Sequence, residues 1–313
     1  ESMKAFWDIE EVQAKAIHLL ASFVRDGSAL PYLVMFIESI SLAMKTHVDS
    51  LKLQVDGCSL LLEILSQALE QDVVAALGEN VASSLLETVR KHAGNEELLS
   101  LACTLLMMVS ASEVTAENLR KVGVIPDLLS ILKNFLHNEK ICFSGCGVLW
   151  SLAVSEYNAD QALLRSAVPV TSAVLQEHLQ NTTVTESACS ALWALSLQGC
   201  LTEDDYEPTT ALLLDALRMN PERPMLTKNA CLALASLLRH SEISALRLIT
   251  YSKGSGVNLI KDVYHLHFDN PEVVESICML INEMVQYDDV VLDMLSQKME
   301  ELLPEIKSSF PSS

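Results

Sequence analysis

A small or thiol residue returns at near-constant spacing along the whole chain. Ala16, Cys58, Cys103, Cys146, Cys189, Cys231 and Cys278 stand 42, 45, 43, 43, 42 and 47 residues apart. Three positions after each comes Leu19, Leu61, Leu106, Leu149, Leu192, Leu234 or Ile281, and most copies add an apolar residue six or seven positions on, such as Leu65, Val109, Leu152, Leu195, Leu237 or Val285. Apolar residues at these offsets share one face of a helix, so the pattern predicts one amphipathic helix, repeated. A repeated helix cannot bury its apolar face alone and must stack on its neighbours, which predicts a solenoid.

Composition agrees. Of 313 residues, 50% are hydrophobic and only 5% aromatic, with 10 Gly and 9 Pro, so a large core of Leu, Val and Ala in an all-helical chain is expected. Around each anchor helix the periodicity predicts a preceding helix, over Ser28–Thr46, Val81–His92, Ile125–His137, Val168–Gln180, Thr209–Met219 and Val257–His267. Shorter helices are predicted over Asp72–Gly78, Thr115–Val122, Asn158–Ala167, Ile243–Ser252 and Asp288–Gln297. Glu300–Ile306 reads as a capping helix, and Lys307–Ser313, rich in Ser and Pro, as the end of the ordered fold.

The segment Gly123-Val-Ile-Pro-Asp-Leu-Leu-Ser-Ile-Leu132 resembles the turn into the second helix of an armadillo repeat, with Gly at the bend and Pro in the first helical turn. Ala167–Leu175 and Gly254–Ile260 are weaker versions, and the copies before Cys103 look as much like HEAT repeats. The resemblance implies an all-α fold, a right-handed superhelical solenoid of about seven armadillo/HEAT-like repeats in a single domain over residues 1–313. The segments Gly57–Leu62, Ser144–Trp150, Ser252–Lys261 and Asn270–Ser276 resemble the C-terminal repeat region of serine/threonine-kinase-like domain-containing proteins. That narrower resemblance implies a kinase-like, pseudokinase-type domain upstream, so that a chain starting at Glu1 reads as a fragment.

No enzyme is expected in these residues. Gly254-Ser255-Gly256 lacks the third glycine of a phosphate-covering loop and reads as a turn, and neither a His-Arg-Asp nor an Asp-Phe-Gly sequence occurs. Cys142 and Cys146, and His265 and His267, have no second pair at finger-like spacing, so no metal or other cofactor is expected; the cysteines read as core and the histidines as partly exposed. The carboxylates Glu203, Asp204, Asp205 and Glu207 suit the positive start of a helix. The longest charge-free stretch, Ser187–Thr202, is too short and polar to span a bilayer. Six anchor cysteines spaced a repeat apart are too distant to pair and are expected to be reduced, in a cytoplasmic protein. Asn181-Thr182-Thr183, a glycosylation sequon, is then without consequence.

Function is expected on the concave face of the stack. With the anchor residue at zero and ~100° per residue, positions −2, +1 and +5 turn farthest from the core, which predicts a groove floored by Ser144, Gly147 and Ser151, by Ser187, Ser190 and Ala194, and by Asn229, Leu232 and Ser236. Trp150 and Trp193, at +4, are predicted to pack between anchor helices unless they border that groove. Armadillo proteins that bind extended peptides carry Asn at +5 and often Trp at +1; neither is present, which argues against nuclear-import cargo. A net charge of −20 opposes nucleic acid and anionic membrane and favours a basic protein partner, while the floor of small residues suits a helical one. Asp56, Glu63 and Glu283 are the acids nearest the expected groove. The expected function is a non-catalytic protein–protein interaction scaffold that holds a partner helix or peptide. The alternative is a regulatory module packing on its own upstream kinase-like domain.

Overall fold

The computed structural model describes residues 2–24, 29–68, 79–154 and 161–309, and among them every regular element is a helix. The chain divides into two compact units, Glu1–Ala159 and Asp160–Ser313. Unit 1 contains α1 (Ser2–Ala5), α2 (Glu10–Phe23), α3 (Leu30–Val34), α4 (Ile37–Thr46), α5 (Leu51–Ala68), α6 (Glu79–Lys91), α7 (Glu96–Ser110), α8 (Glu113–Lys121), α9 (Val124–Asn134) and α10 (Glu139–Val154). Unit 2 contains α11 (Gln161–Arg165), α12 (Ala167–Glu177), α13 (Thr182–Leu197), α14 (Glu203–Met219), α15 (Pro224–His240), α16 (Glu242–Ile249), α17 (Gly256–His267), α18 (Pro271–Met284), α19 (Asp288–Ser296) and α20 (Leu302–Ser309). Within each unit the helices stack in chain order, each anchor helix against the next: α5 on α7 and α7 on α10, then α13 on α15 and α15 on α18.

The cysteine register holds this stack together. Cys58, Cys103, Cys146, Cys189 and Cys231 are fully buried, as are the leucines three positions on, and none of the eight cysteines forms a disulfide. Burial pushes the thiols of Cys58, Cys103 and Cys231 up to about 12 and raises that of Cys189 as well. In the unfolded chain these thiols ionise at their ordinary value near 9.0, so the stability they hold is complete below that pH and is lost as pH climbs towards 12. The melting temperature is therefore expected to fall through that window. A thiol reagent at neutral pH should modify half-buried Cys278 first and reach all eight only after denaturation.

In the first copy the register slips by one. Leu19, the expected core residue, is 59% exposed, whereas Ile17 is buried. The amide of Gln13 donates to the carbonyls of Met3 and Phe6 as Gln54 donates to those of Met44 and His47, which makes Ile17 and not Ala16 the equivalent of Cys58. These bonds fill carbonyls that the end of the preceding helix leaves open. Thr185, at the position equivalent to Gln54, does the same for His178.

Two further polar registers recur in several repeats. Asn95, Asn138, Asn181 and Asn270, each eight residues before its anchor cysteine, accept the backbone N–H of Leu98, Ile141, Val184 and Val273 and so start α7, α10, α13 and α18. The sequon asparagine is thus a helix cap. Eleven residues before the anchor stand His47, His92 and His267, whose Nε2 groups donate to Trp7, Val48 and Pro221 carbonyls one repeat earlier. Asn220 takes the same place and donates to Leu179 O at 3.0 Å. His267 is accordingly buried, not partly exposed as its sequence neighbourhood suggests; only His265 is exposed. Because an amide serves at the Asn220 position, His267→Asn is expected to keep most of the stability that His267→Leu loses. The loss in the latter is about 1–3 kcal/mol, the cost of a buried carbonyl left without a donor, and equilibrium denaturation reads it.

Other predicted helices are close to their expected bounds, with three departures and two that lie wholly or partly outside the described residues. Ser28–Thr46 is broken at Met35 and Phe36 into α3 and α4, and residue 28 lies outside the described residues. Asp72–Gly78 lies outside them too, as does the start of Asn158–Ala167. The helix expected from Thr209 begins at Glu203 instead, because Thr202 and Asp205 close a capping box in which the Asp205 carboxylate accepts from Thr202 N at 2.8 Å. At the far end α20 continues through Ser309, beyond the expected stop at Ile306.

Candidate interaction surface

Within each unit an anchor helix is covered on one side by the anchor helix before it, and this decides which of its positions reach solvent. Positions −2 and +5 face the preceding anchor helix. Ser144 Oγ on α10 lies 3.3 Å from Thr104 Oγ1 on α7, and Asn229 Nδ2 on α15 donates to Ser190 Oγ on α13 at 2.7 Å. Arg239 on α15 donates through Nε and Nη2 to Glu283 Oε1 on α18, at 3.1 and 2.6 Å. Gly147 lets α7 come close, since a Cβ there would stand 2.7 Å from Met107 Sδ.

The stripe that remains open runs through −3, +1, +4 and +8, a band ~40–100° from the cysteine line. On α10 it comprises Phe143, Gly147, Trp150 and Val154, and on α13 Glu186, Ser190, Trp193 and Leu197. Of the residues expected to floor a groove, Gly147 and Ser190 lie on this stripe, and Ser151 and Ser187 are half-buried at its edge. Ser144 and Asn229 are buried against the preceding anchor helix of their own unit, and Ala194 and Ser236 are buried too, Ala194 being only 1% exposed. Among the acids near the expected groove, Glu63 is exposed, Asp56 half-buried, and Glu283 buried under Arg239.

Trp150 is 40% exposed and does not pack away between helices as its +4 position predicts; Trp193 is half-buried. Beside Trp150 the C-terminal ends of α7 and α10 and the first turn of α8 enclose a cleft of about 610 Å³, lined by Ser110, Ala111, Glu113, Ala116, Ser151, Val154 and Trp150 itself. Its small side chains leave the indole as the one large apolar wall. On the stripe of α13, desolvation by burial raises the pKa of Glu186, against the lowering effect of Arg223. Among the described residues no group of three or more His, Cys, Asp and Glu is placed to hold a metal ion, and no helix is long and apolar enough to cross a membrane. The Gly254-Ser255-Gly256 segment is a turn: Gly254 has φ 119°, and Ser255 caps α17 by accepting from Asn258 N.

Residues 160–310 match the protein family described as LRRK2 ARM repeat. The fold is armadillo-like. The matched stretch lies wholly within unit 2, and unit 1 uses the same anchor register, the same Asn caps and the same cross-repeat histidines. The Gly123 turn, with φ 77° leading into α9 and Pro126 in its first turn, belongs to unit 1. Folds of this kind present an extended helical surface to other proteins, and they do so without requiring any group in the chain to perform chemistry.

Proposed function

We propose that this chain is a non-catalytic protein-interaction scaffold, the armadillo-like part of a serine/threonine-kinase-like protein. In this reading a partner helix or extended peptide docks on the open stripe of the anchor helices. The observation that carries it is the exposed indole of Trp150 at the mouth of a cleft floored by small residues. Tryptophans that are half-covered in the free protein and stand against a concavity are the usual anchors of protein interfaces, because they bury a large area at little entropic cost. Beside the indole, within unit 1, the small side chain of Ser151 allows a partner's backbone to approach; Ser190 offers the same on the stripe of unit 2. The resemblance of Gly57–Leu62, Ser144–Trp150, Ser252–Lys261 and Asn270–Ser276 to the repeat region of such proteins is what supports the attachment to a kinase-like domain.

The test is a comparison of proteins retained from cell lysate by the wild-type chain and by Trp150→Ala and Ser190→Arg variants that melt like it. A specific protein retained by the wild type and lost tenfold or more from either variant supports the reading. Identical retention by all three contradicts it.

A further inference from the structure

Unit 2 holds a second cleft, of about 670 Å³, on the side of the repeat where α16 meets the α18–α19 corner. Its floor is apolar: Ile243 and Leu246, one turn apart on α16, are 42% and 53% exposed, with Ala245, Ile249 and Val290 beneath them. Its rim is acidic, formed by Glu242 at the start of α16 and by Asp288 and Asp289 at the start of α19. None of these three carboxylates makes an ion pair among the described residues, although nearby acids do: Glu207 holds Arg247 and Glu283 holds Arg239. No basic residue lines the cleft. The equivalent cleft of unit 1 has the same Glu and Ala, at Glu113 and Ala116, but only that one acid on its rim.

We propose that the α16/α19 cleft is a docking site for a basic amphipathic helix of a partner protein, distinct from the Trp150 surface. Two apolar side chains on successive turns of the partner would cover Ile243 and Leu246, and Lys or Arg flanking them would reach Glu242, Asp288 and Asp289. The choice of occupant rests on charge. Three unpaired carboxylates around an apolar floor repel an acidic ligand, add nothing for a neutral-rimmed one and reward a cationic one, on a chain that already carries −20. The acids also sit in the first turns of α16 and α19, where they complement the helix ends; that accounts for their presence but leaves the adjoining apolar floor uncovered.

The experiment uses a fluorescently labelled helical peptide of Leu and Lys as probe, a Leu and Glu peptide of the same pattern as its control, and anisotropy as readout. Wild-type chain should bind the Lys probe saturably and leave the Glu probe free. Leu246→Asp should weaken the Lys probe tenfold or more. Asp288→Asn with Asp289→Asn should weaken it and reduce its dependence on salt. Leu19→Asp, at an exposed apolar position of α2, should bind like wild type. Because Leu246, Asp288 and Asp289 are all at the surface, melting curves matching the wild type are expected for each variant. Absence of saturable binding, equal binding of the Glu probe, or equal affinity in Leu19→Asp, Leu246→Asp and the double Asn variant would each overturn the assignment.

Discussion

Leu234→Ala will destabilise unit 2 by about 2–5 kcal/mol, the range for emptying a fully buried leucine site. Leu234 follows Cys231 by one turn on α15, the helix with α13 on one side and α18 on the other, and its side chain has no exposure. The cavity left behind is walled by two rigid neighbours that cannot both close on it. In a stacked array each repeat is stabilised by its neighbours, so the loss spreads beyond α15 itself. Urea denaturation followed by circular dichroism reads the effect as a lower midpoint. A change under about 1 kcal/mol would show that α15 is not the packed centre of its unit.

Gly256→Val will act through collision instead of a cavity. A Cβ at Gly256 would stand 2.6 Å from the backbone oxygen of Leu248 and 3.0 Å from its Cδ1. The first of these is main chain and cannot rotate aside, so the start of α17 must move off the end of α16, at a cost of about 1–3 kcal/mol. Gly94→Ala is the matched control, because its added Cβ meets nothing within 4 Å. A melting temperature that drops for Gly256→Val and stays for Gly94→Ala is the expected result. Equal behaviour of the two would mean that α16 and α17 do not approach as described.

The stacking of this chain could be read from its sequence because the core of a repeat demands a residue of one size at one place, and cysteine with leucine three residues later meets that demand copy after copy. The slip at Ala16 arose where the anchor is an isoleucine beside an alanine, and only the bonds of Gln13 reveal the true register. The Asn caps and cross-repeat histidines were also present in the sequence, at fixed offsets of eight and eleven before the anchor. They escape a search for apolar periodicity because one role is filled by chemically different side chains: His267 and Asn220 both cross to a carbonyl one repeat earlier.

The open face was harder to infer. Helical angles alone place −2 and +5 farthest from the core, yet in a stack the farthest position is covered by the preceding anchor helix, as the contacts of Ser144 with Thr104 and of Asn229 with Ser190 show. What stays open lies between the core and that neighbour, and therefore includes the +4 tryptophans that a single-helix projection assigns to packing. An isolated helical wheel has no term for the next repeat.

The most direct test of the account places a photo-crosslinking residue at Ser151, beside Trp150 and within the cleft, and a second at Lys133, an exposed position on α9, then irradiates in cells. Covalent adducts with a distinct partner protein are expected from position 151, absent from position 133 and lost when Trp150 is also replaced by Ala. Adducts from position 133 alone, or adducts from 151 that persist without Trp150, would contradict the claim that this stripe of the armadillo-like surface is where a partner is held.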